Sequence, residues 1–359
     1  MLRLPHRCLL ALCLLAPGLG HGAALELDEA LPAYRPSQGL EAQAVTSVGS
    51  DTMNNLMSLW SEAFQAYHPG LSVQISGAGS STAPPALTEG TALFGAMSRR
   101  MTSGELQAFE ARFGYRPLAF RVAVDALAVF VHKDNPLPGL SLSALDAIFS
   151  VARRCGARKS AERWGDLGLE GPWQTQRLQR YGRNAVSGTY GYFKASALCN
   201  GDFRSDVNEQ PGSASVVQAV SRTPTGIGYS GMGFQTPGIR PLPLARRDGE
   251  PFVAATAANA IAGTYPLSRY LYLYLNHPPG PPSRPCSASS CALCFLAKGK
   301  AWCSGMAMCP CPRRSRRGNG SACPRPWRKP SFPGEDGIDG GKGSTGSPRA
   351  SSPWGALGF

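Results

Sequence analysis

The sequence predicts an α/β fold, and three observations predict it. Short β-branched or alternating apolar runs are each followed by a loop of Gly, Ser and Thr. Each loop is followed by apolar residues at helical spacing. The unit then recurs along the chain, without internal sequence repeats, as expected of strands and helices in layers. Val45–Val48 is the first strand, and Leu56, Leu59, Trp60, Ala63, Phe64 and Tyr67 mark the helix after it. Pro69-Gly70 stops that helix. Leu71, Val73 and Ile75 alternate as a strand, and Pro84–Glu89 reads as a short helix. Phe94–Met97 is a strand and Ser103–Phe113 a helix. Two β-rich runs follow, Leu118–Val124 and Leu127–His132. Leu142–Phe149 is helical, Leu178–Tyr181 a strand, Gly191–Ala197 and Ala214–Ser221 helical, and Gly226–Tyr229 a strand.

The chain's 359 residues leave room for two ordinary domains, and 43% hydrophobic content excludes wholesale disorder. Beyond the N-terminus no apolar run reaches the roughly 18 residues of a membrane helix. The formal charge of +13 invites a nucleic-acid reading, but its position argues against one. Residues 281–359 hold 12 basic and 3 acidic side chains, net +9, leaving +4 for residues 1–280. Cysteines divide the same way: of 11, seven lie between Cys286 and Cys323.

Residues 1–24 read as a secretory signal: Arg3 and Arg7, an apolar stretch Leu9–Leu15, then small residues through Ala24. The competing reading is a short buried helix. Cys13 follows Leu10-Ala11-Leu12, but Leu12 is too large for a lipidation box, so no lipid anchor is expected. Export permits disulfides. Cys155 and Cys199 either pair or stand as two buried thiols. Residues 25–42, with Pro32 and Pro36, read as a leader or linker.

In α/β sheets, ligands sit beyond the carboxyl ends of strands, where helices begin. Those positions here are Gly49–Thr52, Gly77–Thr82, Ser98 and Arg183–Thr189, all rich in Gly, Ser and Thr. A helix N-terminus leaves backbone N–H groups unpaired and carries about half a positive charge. One such serine is ordinarily a helix cap. Four such loops, one with an arginine, point to a small-anion site. Arg183 adds a planar fork that bonds two oxygens of a tetrahedral oxyanion.

These motifs carry a resemblance. Gly49-Ser50-Asp51-Thr52, Gly77-Ala78-Gly79-Ser80, Ala96-Met97-Ser98-Arg99, Lys133-Asp134-Asn135-Pro136, Tyr181-Gly182-Arg183 with Ser187-Gly188-Thr189, and Gly226-Ile227-Gly228-Tyr229 stand in order between Thr46 and Asn276. That stretch, about two thirds of the chain, resembles the substrate-binding proteins of bacterial phosphate ABC transporters. The resemblance implies a two-lobed periplasmic binding protein of type II-like architecture, two α/β lobes joined by a two-strand hinge. Lobe I would combine 43–124 with a return segment 233–280, and lobe II would be 125–232. Phosphate would be buried in the cleft as the lobes close. Carried over by motif, Ser50, Thr52, Ser80 and Ser98 would bind from lobe I, and Arg183, Ser187, Gly188 and Thr189 from lobe II. The implied partners are inorganic phosphate and permease subunits, for a monomeric, periplasmic or extracellular receptor. No cofactor, metal, nucleic acid or enzymatic activity is expected.

One departure bears on selectivity. Some members follow the third-loop serine with an aspartate that accepts the proton of hydrogen phosphate and rejects ionised sulfate. Arg99 stands there, leaving Asp51 or Asp125 as possible acceptors and sulfate as an alternative ligand. A rival function is a phosphate-ester hydrolase using Ser187 or Ser50, which needs a base or metal. His68, His132 and His277 form no motif for it. A third is surface or nucleic-acid binding through the basic tail.

After Gly280 the apolar periodicity stops. Cys286, Cys291 and Cys294 match one iron–sulfur spacing, and Gly337–Gly343 approaches a P-loop but puts Gly343 where a hydroxyl is needed. Another reading explains more. Regrouping the last base of each codon with the next two forces valine at Trp302/Cys303, glycine at Met306/Ala307 and valine at Met308/Cys309. Asp-Gly-Tyr-Val-Pro can then be read across Gly305–Pro310, and it resembles the family's C-terminal Gly-Tyr-Val-Pro. The expectation is therefore a frameshift after about Gly280, with 281–359 an out-of-frame, disordered tail.

Overall fold

A computed structural model describes residues 43–279. The expected signal, the leader and the tail 281–359, with its cysteine and frameshift readings, lie outside the described residues.

Two sheets share one strand. In the first, β1 (Gln43–Gly49), β2 (Leu71–Ser76) and β3 (Phe94–Met97) run parallel, with β1 central. Between them lie α1 (Asn54–Gln65) and α2 (Ala83–Thr88); α3 (Ser103–Phe113) follows β3. The chain then enters β4 (Leu118–His132), one 15-residue strand where the sequence suggested two runs. Past it come β5 (Leu140–Ser141), α4 (Leu142–Phe149), β6 (Gln179–Arg183), α5 (Gly188–Ala197), β7 (Val207–Gln210), α6 (Ser213–Ser221) and β8 (Gly226–Gly231). Strands β6, β7 and β8 form the parallel part of the second sheet. Then β9 (Ile239–Leu242), β10 (Leu244–Ala245) and α7 (Ala257–Ile261) lead to β11 (Ser268–Leu275).

The shared strand explains its own sequence. Leu118–Ala126 pair antiparallel with β11, and Leu127–Val131 pair with β8. The first half mixes polar and apolar residues. The second half is a continuous apolar run, because that part is buried on both faces. Strand β11 alternates Tyr and Leu for the complementary reason. Tyr270, Tyr272 and Tyr274 face Leu87, Met97 and Phe109, while Leu271, Leu273 and Leu275 face Met57, Trp60 and Phe64 of α1. Each face of the first sheet thus has its own core, and the second lobe has one large core around Phe149, Trp164, Phe193 and Tyr229.

The return to the first lobe comes later than the expected residue 233. Strand β9 pairs with Val129–His132, and Ile239, Leu242, Leu244, Ala260, Tyr265 and Leu267 all pack in the second core. Only β11 joins the first sheet. The reason lies in β4, whose apolar second half offers two edges. β8 takes one and β9 the other, with Pro241 tolerated on an edge strand.

Cys155 and Cys199 form a disulfide with Cα atoms 5.2 Å apart, which resolves the alternative the sequence left open. It ties the loop after α4 to the end of α5. Beneath that loop Asp146 is fully buried, its Oδ2 accepting from Cys155 N at 2.7 Å, and burial pushes its pKa up.

The bridge closes a loop with a sequence separation of 44 residues. Reduction, or Cys155→Ser with Cys199→Ser, is expected to cost about 2–4 kcal/mol. A thermal melt with and without reductant measures this as a lowered midpoint in the wild type alone.

Candidate anion-binding site

Three of the four loops identified in the sequence leave the carboxyl ends of β1, β2 and β3, and the fourth leaves β6 in the other lobe. Their convergence begins with backbone constraints. Gly49 has φ +141°, and a Cβ there would lie 2.0 Å from Ala96 O. Freed of that clash, Ser50 N donates to Ala96 O at 2.7 Å, and Gly79 N donates to Gly49 O at 2.7 Å. The first three loops are thereby stitched together.

Helix α5 meets them from the opposite lobe. Ser187 caps it, Oγ accepting from Thr189 N at 3.1 Å and Tyr190 N at 3.5 Å. The helix starts at Gly188, three residues before the sequence expectation, so Gly188 and Thr189 lie in its first turn. A Cβ on Gly188 would lie 2.3 Å from Ser80 Oγ and 2.7 Å from Ser98 Oγ, so only glycine permits this approach. Ser80 and Ser98 are themselves joined, Oγ to Oγ at 3.2 Å and Ser98 N to Ser80 Oγ at 3.0 Å. Thr52 and Thr189 hydroxyls meet across the cleft at 3.0 Å. Ser81 N donates to Val186 O at 3.1 Å. All but one of the eight residues expected from the sequence are buried; Thr52 is partly so.

Arg183 closes the arrangement. Its side chain is 1% exposed, and Nη1 donates to Asp51 Oδ2 at 2.9 Å and to Ser213 Oγ at 2.8 Å. Nη2 donates to Pro211 O at 3.0 Å. Burial lowers its pKa, and Asp51 pushes back. Arg183 Nε and Ser50 Oγ are buried with no hydrogen-bond partner. A buried donor without an acceptor costs about 1–3 kcal/mol, so both atoms call for an acceptor from outside the chain. A tetrahedral oxyanion supplies acceptors in several directions at once.

The sequence profile of the PBP superfamily domain matches residues 36–292. The phosphate-binding protein PstS of Pseudomonas aeruginosa is 52% identical over 295 residues, covering 82% of this chain and 91% of that protein. The chain belongs to the PstS family, within the PBP superfamily. Two solved structures share the fold. One, described as a phosphate ABC transporter substrate-binding protein from Clostridium perfringens with bound phosphate, gives a TM-score of 0.58 at 22% identity, covering 71% of this chain and 92% of that one. The other, an ABC-type phosphate transport receptor from Vibrio cholerae, gives 0.54 at 21% identity, covering 70% and 93%.

Three charged residues of this PstS-family chain take places the sequence left open. Arg99 spends its fork on Glu105, at 2.8 Å to each carboxylate oxygen, and also donates to Ser81 Oγ at 3.1 Å. Asp51 accepts from Arg183 and from Ser213 N at 2.8 Å. Asp125 accepts from Arg269 Nε at 2.9 Å and Nη2 at 2.8 Å. Each candidate acceptor carboxylate therefore already holds a buried arginine. Arg269 and Ser213 escaped the sequence reading. Ser213 follows β7, whose Val-Asn-Glu-Gln run has no apolar pattern to mark a strand. Arg269 had a usable signal, a charge inside an apolar strand, matched by Asp125 in the neighbouring one.

Gly188→Ala is expected to keep the fold and hold the lobes apart. Oxyanion affinity, read by calorimetry, falls about ten- to a hundredfold, and the melting midpoint without anion stays close to wild type.

Proposed function

We propose that this protein captures inorganic phosphate in the cleft between its lobes and hands it to an ABC permease without altering it chemically. The observation that carries the reading is the pair of buried, unpartnered donors, Arg183 Nε and Ser50 Oγ, beside a helix N-terminus packed against the loops of the other lobe. Ser50, Thr52, Ser80 and Ser98 bind from the first lobe. Arg183, Ser187, the Gly188 N–H and Thr189 bind from the second. The two arginine–aspartate pairs are formally neutral, so the anion is held by oriented donors and the α5 dipole rather than by net charge. The hydroxyl of Ser187 serves as a helix cap, which supports a binding role over that of an activated nucleophile.

The relatives' names and the disulfide support an extracytoplasmic receptor reached through the N-terminal signal. Among the described residues no helix is long and apolar enough to cross a membrane. Sulfate remains the alternative ligand, because Arg99 stands where an acceptor carboxylate is expected and is turned to Glu105. The frame change after about Gly280 belongs to the same proposal. An independent read of codons 275–312 tests it, and an unaltered frame overturns it.

Phosphate at about a hundred times its Kd is expected to stabilise the protein by roughly 3 kcal/mol, a melting shift on the order of 5–10 °C. Arg183→Ala abolishes the shift. An equal shift with sulfate contradicts phosphate selectivity, and no shift with either anion contradicts the receptor.

A further inference from the structure

We infer that Arg269 is a positioning residue for the anion, acting through Thr189 and Thr52; the inference rests on the phosphate reading of this site. Arg269 opens β11 where the chain leaves the second lobe, and its side chain is 2% exposed. Three things hold it. Asp125, directly across on β4, takes Nε and Nη2. The Ser98 carbonyl, at the third anion loop of the first lobe, takes Nη1 at 3.1 Å. Thr189 Oγ1, in the first turn of α5 in the second lobe, takes Nη2 at 3.0 Å. The guanidinium also lies 5.4 Å from the centre of the Tyr192 ring, and Tyr192 OH donates to Ser268 O at 2.6 Å. One side chain thus touches both lobes and the strand pair between them.

The chemistry of the contact with Thr189 fixes a direction. A guanidinium has donors only, so Thr189 Oγ1 accepts from it. The Thr52 and Thr189 hydroxyls are 3.0 Å apart, and one donates to the other. If Thr189 donates, the proton of Thr52 is left over. If Thr52 donates, Thr189 accepts twice and its own proton is left over. In both cases one hydroxyl proton of the pair is left over for what the cleft holds. With Arg269 in place the Thr189 proton cannot turn towards the guanidinium and must point to Thr52 or into the cleft; without Arg269 that hydroxyl is no longer held in one orientation. Arg269 therefore fixes the orientation of the Thr189 hydroxyl, and its bond to Thr189 ties that orientation to lobe closure. Its charge is balanced by Asp125, so the effect comes from hydrogen-bond direction rather than from added charge.

Phosphate titration calorimetry on wild type, Arg269→Lys, Thr189→Val and their double variant tests this, with Asp125→Asn/Arg269→Gln as a second route that leaves no unpaired buried charge. An ammonium at one point does not serve three separated acceptors, so Arg269→Lys weakens phosphate roughly ten- to a hundredfold. The melting midpoint without phosphate stays near wild type, because the pair with Asp125 survives. Thr189→Val costs a similar factor, and the double variant loses no more than Thr189→Val alone. Losses that multiply, or affinity that tracks the phosphate-free midpoint across both Arg269 variants, overturn the inference while leaving the phosphate reading intact. A wild type that binds neither phosphate nor sulfate overturns both.

Discussion

A guanidinium taken out of water keeps its charge, and the protein must then offer an acceptor to nearly every N–H it carries. Arg183 and Arg269 impose that demand at the junction of the two lobes, and much of the local architecture answers it. Asp51 crosses from the first lobe to serve Arg183, with Ser213 and Pro211 completing the set. Asp125 crosses from β4 to serve Arg269, with Ser98 O and Thr189 completing it. Two of these contacts, Arg183 with Asp51 and Arg269 with Thr189, run between lobes. Closing the cleft therefore makes one bond of each arginine. Arg183 Nε keeps its N–H back, and in the proposed reading that donor is what the cleft offers to a ligand.

The hinge follows from two strands written in different patterns. Strand β4 changes from mixed to wholly apolar near Ala126–Leu127, where its partner changes from β11 to β8. Strand β11 brings the chain back beside it, so that two neighbouring backbones make the crossing. Asp125 and Arg269 sit opposite one another at that place. A charged pair there is costly to bury, and it binds the hinge to the site directly through Thr189.

Most of this fold was legible where a strand or helix declares itself locally. The loops after β1, β2, β3 and β6 could be picked out because glycine and hydroxyl residues follow β-branched runs, and the structure gathers all four loops at one cleft. What could not be read depended on distant partners. Residues 239–267 look like an irregular connection in sequence, and only the open edge of β4 explains why they stay in the second lobe. The start of α5 fell three residues early because Gly188 is unfavourable within a helix yet necessary against Ser80 and Ser98. Arg99 read as a departure from an expected acceptor, and its bidentate pairing with Glu105, six residues on, was not foreseen.

The central claim is that both lobes grip one tetrahedral anion at the start of α5. A crystal structure of the protein grown with phosphate tests it most directly. A tetrahedral anion is expected within hydrogen-bond distance of Arg183 Nε, Ser50 Oγ and the Gly188 N–H at the start of α5. An anion bound elsewhere, or a closed cleft in which those donors find partners only within the protein, would contradict it.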